Sequence, residues 1–74
     1  MVEGDKHKFA ETLALFGAIH KETITLERQK AYWVALQEMQ AEEFERVSRH
    51  LLKHTKWFPK PADFWSASKS VGWT

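Results

Sequence analysis

The chain has no cysteine, and its 74 residues include only two prolines and three glycines. Without cysteine there is no disulfide, no thiolate metal site and no cysteine nucleophile, and a reducing cytoplasm is the easier home. The glycines (Gly4, Gly17 and Gly72) are scattered, so no glycine-rich phosphate loop is present. Long apolar runs are missing too. The start, MVEGDKHKF, lacks the apolar core of a signal peptide, and nothing later approaches the length of a membrane span. These absences lead to the expectation of a soluble, intracellular protein with no membrane partner.

What the chain does have is aromatic side chains, 14% of its residues, with four tryptophans and five phenylalanines. A chain of this length has room for one domain only, and its core rarely supplies more than about 3–5 kcal/mol of net stability. Each aromatic that is buried removes roughly 150–250 Å² from water, which is how so short a chain can build a core.

Charge is unevenly spread. Residues 1–45 carry five Lys/Arg against nine Asp/Glu, a net of −4, whereas residues 46–74 carry six Lys/Arg against Asp63 alone, a net of +5. Such asymmetry fits an acidic or nucleic-acid partner for the C-terminal half, and equally attraction between the two halves of the chain.

The periodicity predicts an all-α fold: a compact small bundle of three helices plus a short fourth after a Pro-rich turn. The first helix is expected from about Asp5, as N-cap, to His20. Phe9, Leu13, Phe16 and His20 recur at helical spacing, and Leu15 and Ile19 broaden that apolar face. Thr25 is a good N-cap for a second helix reaching about Met39, with Ile24 as a hydrophobic staple and Tyr32, Trp33, Leu36 and Met39 inside. A third helix, about Ala41 to Thr55, buries Phe44, Val47, Ser48 and Leu51. Its glutamates Glu42, Glu43 and Glu45 read as a solvated, dipole-matched start.

The stretch WFPKPADFW, Trp57 to Trp65, follows. Proline forces the residue before it to be extended, so the chain reverses here. Pro61 then suits the first position of a helix running to about Ser68, with Asp63 favourable in its first turn. Phe58 and Phe64 are expected in the core, and Trp57 and Trp65 are left between clasp and contact surface. Residues 1–65 form the expected domain and 66–74 a partly ordered tail, in which Val71 and Trp73 could dock.

Catalytic constellations find no support. Ser48, Ser66, Ser68 and Ser70 stand in no nucleophile motif. His50 and His54, four apart on a helix, have metal-ligand spacing, but Leu51 occupies the place where a zinc-protease signature needs Glu; they read as polar residues near a helix C-terminus. No cofactor or metal is expected. Arg46, Arg49 and Lys53 share one face of the third helix, near Trp57, and such clustered cations with aromatics suit phosphates and bases. The expected partner-binding residues are therefore Trp57, Trp65, Trp73, Arg46, Arg49 and Lys53.

The order of these motifs resembles a known family. An apolar first helix (Leu13, Phe16, Ile19) precedes Thr25 and a helix with Tyr32-Trp33 and Leu36. Phe44, Val47 and Leu51-Leu52 come next, then Phe58-Pro59-x-Pro61-Ala62-Asp63-Phe64. Over about residues 9–65 this is similar to the folded N-terminal domain of phage replicative-helicase loader and inhibitor proteins. The resemblance implies a non-enzymatic adaptor of phage or prophage DNA replication, in the cytoplasm of a bacterial host, contacting a replicative helicase or another replication protein. It places Trp33, Leu36, Phe44, Val47, Leu51, Phe58, Pro59, Ala62 and Phe64 on scaffold positions. A homodimer through the exposed aromatics is a further expectation. The alternative from another class is a small nucleic-acid-binding protein using the basic face of the third helix.

Overall fold

A computed structural model describes residues 1–72. After a single 3-10 turn at Glu3–Asp5, the described residues form four helices: α1 (Lys6–His20), α2 (Leu26–Leu36), α3 (Ala41–His54) and α4 (Pro61–Ser70), with no strand among them. The fold is all-α, three longer helices and a shorter fourth after the proline turn. α1 packs on α2, and α4 lies mainly along α3 while also touching α2.

The helix starts follow local chemistry. Thr25 is extended and its Oγ1 accepts from Arg28 N–H at 3.1 Å, so α2 has the expected side-chain cap. Asp5 behaves differently from expectation. Its carboxylate accepts from Val2 N–H at 2.8 Å and closes the preceding 3-10 turn, leaving α1 without a side-chain cap. At α4, Lys60 is extended, as a residue before proline must be, and its N–H donates to Asp63 Oδ2 at 2.9 Å. Asp63 thus both favours the helix dipole and satisfies the amide at the turn.

The ends differ more. α2 stops at Leu36, three residues short of the expected Met39. Met39 N–H folds back onto Leu36 O at 2.9 Å, the Met1 amine donates to the carbonyls of Gln37 and Met39, and extended Gln40 must begin α3. Met39 is still fully buried, held by this turn rather than by a helix. α4 continues to Ser70, and Ala67 and Ser68 are buried, so the boundary expected at Trp65 falls inside a packed helix. Val71 packs partly against the core.

The core is aromatic. All five phenylalanines are buried, with Phe9, Phe16 and Phe64 at 1% exposure or less. Phe64 of α4 stacks on Phe44 of α3 (5.7 Å between centroids, 15° between planes) and meets Phe16 of α1 edge-on at 5.7 Å. Phe58 joins Phe16 and Tyr32 at 6.0 Å each, and Phe9 joins Phe44 at 5.1 Å and Trp33 at 5.2 Å. Pairs of this geometry contribute about 0.5–1.5 kcal/mol beyond their area.

Two polar contacts fix the proline turn on this core. The buried Tyr32 hydroxyl donates to Pro59 O at 2.8 Å, satisfying a carbonyl that would otherwise be buried alone. On the outer side the Arg28 guanidinium lies 4.1 Å from the Phe58 ring centre and pairs with Glu22 at 2.8 Å. The hydrogen bond to Glu22 raises the pKa of Arg28 above its ordinary value, which favours the charged guanidinium that the cation–π contact requires.

Glu43 corrects the reading of the α3 start as wholly solvated. It is 8% exposed, accepts a hydrogen bond from the Ser68 hydroxyl of α4, and takes Gln40 N–H at 3.4 Å. The carboxylate is tolerated there because its oxygens are partnered. Leu15 and Ile19 are the second correction. Both were expected to widen the inner face of α1, and they are 55% and 56% exposed.

Two stability results are expected. Phe64→Ala removes the ring shared by α1, α3 and α4 and should cost about 3–5 kcal/mol, enough to unfold the chain in a thermal melt. An unchanged melting curve would show that Phe64 is not the clasp. At Gly17 an added Cβ would sit 2.8 Å from Glu22 O and 3.1 Å from Ile24 Cγ1. Gly17→Ala should therefore destabilise by roughly 1–3 kcal/mol in urea titration, although alanine is the better helix former by about 1 kcal/mol.

Candidate partner-binding surfaces

The residues expected to meet a partner fall into three environments. Arg46, Arg49 and Lys53 are exposed on the side of α3 opposite Phe44, Val47 and Leu51. Their charge is not all available to an external anion, since Arg49 Nη2 pairs with Glu45 Oε1 at 2.8 Å. The exposed Glu42 lies on the same helix and further dilutes that face. Beyond it, the rings of His50 and His54 lie 4.6 Å apart. Among the described residues no group of three or more potential metal ligands is assembled.

Trp57 and Trp65 separate. Trp57 is 65% exposed, yet its backbone is anchored, because Thr55 Oγ1 donates to Trp57 O at 2.8 Å and the next two residues, Phe58 and Pro59, are buried. Its ring is held outward by a fixed turn. Trp65 is 38% exposed, and its Nε1–H donates to Ala35 O at 3.2 Å. Ala35 is in the last turn of α2, where carbonyls lack partners within the helix, so Trp65 ties α4 to the end of α2. Trp73 lies outside the described residues.

Two surfaces went unnoticed in the sequence. Between α1 and α3 runs a groove of about 420 Å³ with Leu15 on one wall and Leu52 on the other. Phe9 and Phe44 meet at its floor. On the other side of α1 a second groove of about 420 Å³ is lined by Leu26, Trp33 and Val34, with Lys6 and Lys30 at its edges. The signal was in the apolar arc of α1. Leu15 and Ile19 sit roughly 100° around the helix from the stripe of Phe9, Leu13 and Phe16. That is too wide for one packed face.

No helix among the described residues is long and apolar enough to cross a membrane. Comparison of the chain with protein-family models, with curated proteins and with solved structures finds no match.

The two tryptophans should respond differently to mutation. Trp57→Ala should stay within about 0.5 kcal/mol of the parent in chemical denaturation, as surface changes do. Trp65→Phe keeps an aromatic ring, though a smaller one, but loses the bond to Ala35, and should cost at least about 0.5–1.5 kcal/mol.

Proposed function

We propose that this protein is a non-enzymatic adaptor of phage or prophage DNA replication, working by contact with a replicative helicase or another replication protein. The reading rests on the motif order that resembles the helicase loader and inhibitor domains. Of its shared positions, Leu36, Phe44, Val47, Leu51, Phe58, Pro59 and Phe64 are buried, whereas Trp33 is half-buried and Ala62 is exposed, so most serve the scaffold and the surface is left to carry the partner contact.

The single observation that carries the contact is Trp57. In a fold that buries every phenylalanine, this large ring is held outside on an anchored turn. Tryptophan and arginine dominate binding hot spots, and a ring whose backbone is already fixed loses little freedom when a partner covers it. The cations of α3, Arg46, Arg49 and Lys53, would form the polar rim of such a contact. The nucleic-acid alternative is less favoured because Glu45 already engages Arg49 and Glu42 shares the face.

Co-purification with the replicative helicase of the encoding phage tests the reading. The expected result is capture by the parent protein and at least a tenfold loss with Trp57→Ala, of about 1.4 kcal/mol or more, at unchanged melting temperature. A folded protein that captures no helicase, or binds DNA at about 50 mM salt with a steep salt dependence, contradicts it.

A further inference from the structure

We propose that the groove between α1 and α3 is an acceptor site for an amphipathic helix with basic flanks, supplied by a protein other than this chain. Trp57 does not line this groove, although Arg49 borders both surfaces, and the proposal does not depend on the replication reading.

Shape comes first. The groove is bounded by Asp5 and α1 as far as Leu15 and by α3 from Ala41 to Leu52, which at 1.5 Å per residue is about 15 Å, close to three helical turns. Its walls present Leu15 and Leu52, and exposed Ile19 continues the α1 row by one turn. A helix laid in such a trough uses apolar anchors at i, i+3 or i+4, and i+7.

A second observation is independent of shape. Ser48, on the α3 side of the groove, is 3% exposed, and its hydroxyl is buried with no hydrogen-bond partner among the described residues. Serine in mid-helix usually returns its hydroxyl to a carbonyl one turn back or points it to water. Here it does neither, and leaving it alone costs stability. A polar atom on an occupant of the groove would complete it once the side chains that cover the hydroxyl shift aside.

Charge selects the occupant. Asp5, Glu11, Glu42 and Glu45 line the groove against Lys8, Arg49 and the Met1 ammonium, a net of −1, and the Arg49–Glu45 pair offsets itself, leaving Asp5, Glu11 and Glu42 as the acidic edge. A basic rim on the incoming helix complements this edge, whereas nucleic-acid phosphates would be repelled. A second copy of this chain docked symmetrically would bring two acidic edges face to face, which disfavours self-association through this groove.

The test uses the full chain and a synthetic peptide of about 14 residues, near four helical turns, with leucines on one face and lysines flanking them. Its controls are the same peptide with glutamates for lysines and an order-scrambled basic peptide. Amide shift mapping should show saturable binding centred on Thr12, Leu15, Ser48 and Leu52, about tenfold or more tighter than for either control. Leu15→Lys should abolish it and Val34→Lys, in the other groove, should not. Ser48→Ala should weaken binding severalfold without lowering the melting temperature, a combination that a purely structural serine would not give. Equal binding of the glutamate peptide, shifts centred elsewhere, no saturable binding, or a concentration-dependent dimer broken by Leu15→Lys would each overturn the proposal.

Discussion

The side chain on which the rest depends is Phe64. It stacks on Phe44 and meets Phe16 edge-on, so one ring connects α4 to α3 and α1 at once. From Phe16 the contacts pass to Phe58 and Tyr32, and from Phe44 to Phe9 and Trp33. Tyr32 and Trp33 are neighbours on α2, so both arms of the ring contacts return to the same helix. A chain with so little volume cannot rely on layers of aliphatic side chains. It uses a circuit of large flat ones, in which each phenylalanine meets at least two other rings.

The proline turn makes the circuit possible. Pro59 and Pro61 hold the chain extended between α3 and α4, and the Tyr32 hydroxyl takes the buried Pro59 carbonyl. Phe58 then faces Phe16 from one side of the turn and Phe64 from the other. Glu43 and Ser68 add a buried polar bond between α3 and α4, and Trp65 reaches the end of α2. The same turn that closes the core also projects Trp57. Folding and a protruding aromatic arise from one element of sequence.

Much of this was legible in the residues. Four helices, the Thr25 cap, the Pro61 start and the burial of Phe58 and Phe64 all follow from local rules that tertiary structure did not override. What was not legible depends on neighbours distant in sequence. Leu15 and Ile19 look like core by hydropathy, and only the absence of a helix over that flank leaves them outside. Glu43 looks like surface by type, and only Ser68, twenty-five positions on, makes its burial tolerable. Trp65 could not be told from Trp57 because the distinguishing carbonyl, that of Ala35, belongs to another helix. The acidic groove was hidden for the same reason, since its two walls are far apart in the chain.

The central claim is that α4, short and last, is as firmly part of the folded unit as the helices it closes. Native-state hydrogen exchange of the backbone amides measures this directly. Amides in the middle of α4 should open only with global unfolding, at the same free energy as those of α3. If α4 amides exchange through a separate opening of much lower free energy while α1, α2 and α3 stay protected, the aromatic circuit is not what holds the fold together.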